Sequence, residues 1–205
     1  GLTDKSACVM IITVEKGSPK DVLDVITNYG GDSDYAFFLG DDQCVLINFT
    51  EELGGEYRSS TEYAEFLVQS IYEETGVAVS AAVGGTVKSA SDLNTSFNQA
   101  ATVKRMNKSL GSKGRVHSFK EYVLIKMLED LPKHKLNEYL ELLMDERARE
   151  IFDDDEMTST AEEFLENNLN VSETSRKIYL HRNTLMYRLD KIEKATGLNI
   201  RKFSD

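Results

Sequence analysis

NVSETSRKIYLHRNTLMYRLDKIEK, residues 170–194, carries the pattern of two short helices joined by a tight turn. Asn170 followed three residues later by Glu173 is a capping box, in which the Asn side chain takes an orphan backbone N–H and Glu reaches back. A helix is expected from about Val171 to Tyr179, and Leu180-His181 breaks it. A second helix is expected from about Arg182, capped by His181 or the residue beside it. Within it Leu185, Leu189 and Ile192 recur at i, i+4 and i+7, one buried stripe. The opposite face carries Asn183, Tyr187 and Lys194, flanked by Thr184, Met186 and Lys191. Upstream, Ala161, Phe164, Leu165 and Leu169 mark another amphipathic helix. The C-terminal region therefore reads helix, short helix, tight turn, longer basic helix, which is a helix-turn-helix unit.

In such a unit the last helix fits a DNA major groove, and the charge agrees. From Arg176 to Lys202 eight Lys and Arg stand against two acids, Asp190 and Glu193, a local balance of +6. The whole chain is −11, so the remainder sums to −17. A basic face on an acidic carrier is the footprint of a polyanion-binding surface. Charge alone reads equally well as a solvated helix face; the helical pattern decides.

The motifs N-V-S-E-T (170–174), H-R-N-T-L (181–185), Y-R-L-D-K-I-E (187–193) and T-G-L (196–198) closely resemble the C-terminal helix-turn-helix of PucR/CdaR-type bacterial transcription regulators, and cover the last 40 or so residues without a gap. More distantly, the turn and final helix look like those of the Fis-type nucleoid protein. The resemblance implies a DNA-facing set of His181, Arg182, Asn183, Thr184, Tyr187, Arg188 and Lys191. Arg182 and Asn183 would read bases, and Arg188 and Lys191 would meet phosphates. Ser175 stands where many such motifs have Ala at the crossing of the first two helices, and is small enough to keep it.

The preceding 160 residues alternate strand and helix signals. ACVMIITVE (7–15) is a β-branched apolar run, hence a buried strand. Ser18-Pro19 opens a helix to about Tyr29. YAFFLGDDQCVLINF (35–49) is two apolar runs around Gly40-Asp41-Asp42-Gln43, a β-hairpin. A helix over about 60–75, the strand VAVSAAVGG, a helix from Ser91 or Asp92 to about Asn107 and a short strand at 115–117 follow. The order βαββαβα, with a final strand, predicts an α/β (α+β) ferredoxin-like sandwich on a mostly antiparallel sheet.

That order resembles a degenerate GGDEF (nucleotide-cyclase-like) domain. The hairpin is where a cyclase would hold its acidic turn, and here it reads Gly40-Asp41-Asp42-Gln43-Cys44. Gln43 cannot neutralise a metal ion, Asp41 crowds the turn, and the first strand offers only Glu15 at its end. The domain is therefore read as non-catalytic, against the alternative of a cyclase-like enzyme with an appended DNA-binding tail. A third reading, an architectural DNA binder, fits the large α/β portion poorly. The GGDS at 30–33 and GGEY at 54–57 are chance look-alikes outside the hairpin.

Other features stay structural. Cys8 and Cys44 lie in apolar runs and are read as buried thiols in a reducing cytoplasm. No CxxC, HExxH or His/Cys cluster is present, so neither a metal site nor a cofactor is expected. Gly84-Gly85 lacks the GK[ST] of a phosphate loop. KRMNKSLGSKGRVHSFK (104–120), with six cations and no acid, is either an auxiliary anion contact or a solvated helix end. Helices around Phe119–Leu128 and Leu136–Leu143 are expected to connect the domains, and Asp153–Glu156 to be a solvated linker. The expected division is 1–117 α/β domain, 118–158 connecting helices and 159–205 helix-turn-helix domain. No apolar run approaches the roughly 20 residues of a membrane span. The chain opens Gly1-Leu2-Thr3, without Met and without a leader, and is expected to be a piece of a longer protein. Its partners are expected to be double-stranded DNA and a second copy in a homodimer. A small-molecule effector would bind a region outside this chain.

Overall fold

The computed structural model describes residues 5–49, 57–112 and 114–202, in two compact units, 1–129 and 130–205. Residues 54–56 of the second GGDEF look-alike, and Lys113, lie outside the described residues.

The first unit runs Ala7–Lys16 (β1), Pro19–Tyr29 (α1), Tyr35–Phe38 (β2), Gln43–Phe49 (β3), Ser60–Thr75 (α2), Ala78–Val83 (β4), Leu93–Leu110 (α3), Val116–Ser118 (β5) and Phe119–Glu129 (α4). The strands form one sheet in the order β2-β3-β1-β4-β5. β1 lies antiparallel to β3, with Ile12 opposite Cys44, and antiparallel to β4, with Met10 opposite Val83. Among the described residues, only β5 joins in parallel, on β4. Helices cover both faces. Cys8, Met10, Ile12 and Val14 share a core with Val22, Val25 and Ile26 of α1 and Tyr63, Leu67 and Ile71 of α2. Val9 and Ile11 face the other way, onto Ala100 and the neighbouring side chains of α3. A central strand with no solvent side needs no polar alternation, which explains the unbroken run ACVMIITV. Gly84 permits the close approach of α3, since a Cβ there would stand 2.1 Å from the Ser96 carbonyl oxygen. The Ser96 hydroxyl then bridges strand and loop, accepting from the Val9 N–H at 2.9 Å and donating to the Gly85 carbonyl at 2.7 Å.

This is the expected mixed α/β architecture, with three local differences. The start of α3 falls at Asp92, but its side chain makes no capping bond, and Ser89 caps the short 3-10 turn Ala90–Asp92 instead. β5 passes directly into α4, leaving no linker near residue 118. α4, expected among the connecting helices, belongs to the first unit: Tyr122 is buried with Ala82, Val103 and Met106, and its hydroxyl donates to Ser112 Oγ at 2.9 Å.

The second unit is helical: Lys133–Leu143 (α5), Glu146–Phe152 (α6), Asp155–Glu166 (α7), Val171–Lys177 (α8) and Arg182–Thr196 (α9). α5 buries none of its residues. α6 was not foreseen in the sequence; Asp145 caps it by accepting from the Ala148 N–H, and Ala148 and Ile151 face inward. The acidic run 153–156 is not a linker. Asp154 caps α7 through the N–H groups of Glu156 and Met157, and Asp155 and Glu156 form its first turn, where negative charge meets the positive end of the helix. Two small cores result, Ile151, Met157, Ala161 and Ile192 in one, and Phe164, Leu185 and Leu189 in the other.

Candidate nucleic-acid interface

The helix-turn-helix is assembled by local chemistry. Asn170 accepts from the N–H groups of Ser172 and Glu173 at 3.0 and 3.1 Å, starting α8. Its own N–H donates to the Asn167 carbonyl at 3.0 Å, so that donor is satisfied by the preceding turn. α8 ends in a left-handed residue, Tyr179, at φ 55°. The Leu180 N–H reaches back to the Ser175 carbonyl at 2.9 Å, a closure that usually recruits glycine. The Tyr179 side chain is 95% exposed. His181 then caps α9, its Nδ1 accepting from the Asn183 N–H at 3.2 Å. Ser175 is buried at the crossing, and its hydroxyl donates to the Ser172 carbonyl.

Leu185, Leu189 and Ile192 are buried, and this fixes which face of α9 is free. His181, Arg182, Asn183, Thr184, Tyr187 and Lys191 are all exposed, in one cap and the first turns of one helix. Arg188 is different. Its Nη2 meets Glu156 Oε2 at 2.7 Å and its Nη1 donates to Thr160 Oγ1 at 3.0 Å, both on α7.

The basic stretch thus divides in two. Lys177 ties α8 to α7 through Glu163 at 3.0 Å and Glu166 at 3.6 Å. Arg188 ties α9 to α7. Arg201 folds back onto α9, pairing with Asp190 at 2.7 Å and with Glu193. The hydrogen bond to Asp190 pushes the Arg201 pKa up, and the guanidinium, charged in any case, cancels acids that would otherwise oppose a polyanion. Arg182, Lys191 and Lys194 have no carboxylate partner among the described residues. The sequence picked out the outward cations but gave no signal for Glu156 or Thr160, which lie about thirty residues away in the chain and meet Arg188 only once α7 packs on α9.

Elsewhere, groups singled out in the sequence are occupied by structure. The Gly40 turn of the hairpin is left-handed at φ 76°, and Gln43 Nε2 donates to Asp42 Oδ1 at 2.8 Å. Gly84 and Gly85 face Ser96 and Gln99 of α3. In the 104–120 stretch Arg105 pairs with Glu129 at 2.7 Å and Arg115 donates to the Val79 carbonyl. Burial pushes the Cys8 thiol up to about 11, and its Sγ donates to the Gly84 carbonyl. Among the described residues no group of three His, Cys, Asp or Glu could hold a metal ion, and no helix is long and apolar enough to cross a membrane.

Residues 157–205 match the family model of the PucR C-terminal helix-turn-helix domain, the family that the motifs at 170–198 resemble. Over 165 residues, 80% of the chain, it is 22% identical to the purine catabolism regulatory protein of Bacillus subtilis (strain 168), covering 31% of that protein. Over 67 residues, 32% of the chain, it is 42% identical to the uncharacterized protein YxkF of the same organism, covering 23% of it. The chain spans less than a third of either relative's length. Among solved structures, a regulator of polyketide synthase expression from Bifidobacterium adolescentis aligns with 97% of this chain and 75% of its own at 14% identity and a TM-score of 0.35. A GGDEF domain from Pseudomonas aeruginosa aligns with 60% of this chain and 83% of its own at 12% identity and a TM-score of 0.37.

Proposed function

We propose that this chain, whose residues 157–205 form a PucR C-terminal helix-turn-helix domain, is the DNA-binding portion of a sequence-specific transcription regulator. The observation that carries this reading is the division of α9 into two faces. Leu185, Leu189 and Ile192 are buried, and Arg182, Asn183, Thr184, Tyr187 and Lys191 stand exposed on the other side. A major groove admits a helix of this kind, and its N-terminal residues meet base edges. An Arg grips guanine O6 and N7 and an Asn grips adenine N6 and N7, so Arg182 and Asn183 are the base readers. Lys191, farther along, meets phosphate. His181 holds the first turn in place, and Thr184 and Tyr187 line the contact.

One such module reads only a few base pairs, so the regulator acts as a homodimer on half-sites about 34 Å apart. It works in the cytoplasm, and a small-molecule effector is sensed by a part of the protein outside this chain. The α/β unit serves assembly or signal relay and is not an enzyme: Gln43 and Asp41 occupy the hairpin turn where a cyclase needs an open, acidic one. Incubation with GTP and Mg²⁺ or Mn²⁺ yields no cyclic dinucleotide on this reading, and turnover above a no-protein control would reinstate the cyclase-like alternative.

The decisive test is selection of preferred duplexes from a random-sequence library, followed by competition at several salt concentrations. The selected site should be bound at least about a thousandfold more tightly than random DNA at physiological salt. Equal binding of both would leave a non-specific binder and remove the regulator.

A further inference from the structure

Resting on the DNA-binding reading of α9, we infer that Arg188 supports DNA recognition without touching DNA: it is a positioning residue that fixes the orientation of α9 on α7. Its side chain is 18% exposed, and the guanidinium is spent on α7. Nη2 lies 2.7 Å from Glu156 Oε2, and Nη1 lies 3.0 Å from Thr160 Oγ1 and 3.5 Å from the Glu156 carbonyl. Thr160 is buried, and its own proton goes to the Glu156 carbonyl at 2.6 Å, leaving the hydroxyl oxygen as an acceptor for Arg188. The three groups thus form one closed network.

The location matters. Arg188 sits next to Leu189 and three residues after Leu185, both wholly buried, at the margin of the stripe that seats α9. It also follows Tyr187, which is 67% exposed on the free face. Apolar contacts fix how deeply a helix sits but are non-directional. A guanidinium that meets a carboxylate and a hydroxyl is directional, and sets the rotation that aims Arg182 and Asn183. Turning Arg188 outward to a phosphate would strand the Glu156 carboxylate beside the duplex and leave the buried Thr160 oxygen without this donor.

The test uses the full chain and the duplex selected as above, with Arg188→Gln, Arg188→Lys, Glu156→Gln and Thr160→Val each titrated on selected and random DNA across a salt series. Arg188→Gln should weaken the selected site about tenfold or more, leave random DNA within about twofold, and keep the parent salt slope, because no phosphate contact is lost. Loss of stability alone would lower both affinities together. Arg188→Lys should not rescue, since an ammonium cannot serve the planar pair of acceptors. Glu156→Gln and Thr160→Val should show the same selective loss, and the Arg188→Gln/Glu156→Gln double variant should be no worse than Arg188→Gln. If Arg188→Gln fails to fold by circular dichroism, the Thr160→Val and Glu156→Gln profiles carry the same expectation. The inference is overturned if the salt slope falls by about one in Arg188→Gln and is restored in Arg188→Lys. It is equally overturned if Glu156→Gln and Thr160→Val bind like the parent. Failure of the parent chain itself to prefer its selected duplex would show in the parent curve, and would overturn the function proposed above together with this inference.

Discussion

The two units hold themselves together differently. In the first, β1 is buried on both faces between two layers of helix, and its ion pairs, such as Arg105 with Glu129, lie at the exposed rim. Rim pairs of this sort, screened by solvent, contribute little. In the second, two small apolar clusters seat α9, and Arg188, Lys177 and Arg201 brace the helices from outside. A large core dictates its own geometry, whereas a small one leaves orientations nearly equal in energy, and directional polar contacts choose among them. In the second unit, side chains that look like DNA ligands in sequence are therefore partly scaffold.

The contrast is broken most forcefully by removing apolar mass. Leu185→Ala should cost about 2 to 5 kcal/mol, seen as a loss of helical circular dichroism in denaturant titration together with loss of DNA binding. A variant that kept both would mean that the arginine ties alone suffice. An alkaline series separates the units next. Burial raises Cys8, and likewise Cys44, to about 11. A thiol whose folded pKa lies above its unfolded value favours the neutral form in the fold. Its contribution is present below the unfolded value of 9.0 and is lost as pH rises toward about 11. For Cys8 this is at most about 3 kcal/mol. The second unit contains no cysteine. Denaturation at pH 8 and pH 10.5 should show the parent weakened at the higher pH and Cys8→Ala weakened less by the same change. An equal loss in both proteins would move the alkaline sensitivity elsewhere.

Smaller effects test the outward face. Arg182→Ala or Asn183→Ala should cost about 1 to 3 kcal/mol on the selected duplex and flatten discrimination, with the melting curve unchanged. Lys191→Ala should have the smallest effect: weaker binding to every sequence alike, and a salt slope lower by about one. Were Lys191→Ala to abolish discrimination as well, the assignment of base readers to the first turn would need revision.

What could be read in advance follows the range of the interaction. β1, the hairpin and α9 were legible because their signals are local: an unbroken apolar run, a Gly-Asp-Asp turn and leucines at helical spacing. α6 was not, because within ERAREIF only Ala148 and Ile151 face inward, and the surrounding charges masked that pair. The acids at 153–156 looked like a linker because charge suggests solvent, whereas Asp154 uses its charge to start a helix. The role of α4 depended on Tyr122 finding Val103 and Met106, a contact that no window of sequence contains. Arg188 sits at a helical spacing that suits DNA, and only the packing of α7 reveals its carboxylate.

The register of β1 also has a consequence for synthesis. Met10 pairs with Val83, so β1 waits roughly seventy residues of synthesis for one of its two neighbours. During that interval an unusually apolar nascent segment has the β2–β3 hairpin as its nearest strand partner. The α7–α9 region closes over short separations and can fold within microseconds to milliseconds. The chain should therefore complete its helix-turn-helix region quickly. Its slow step, and its exposure to chaperones, should belong to the N-terminal sheet, and pulse-labelled amide exchange during refolding would show protection of α9 ahead of β1.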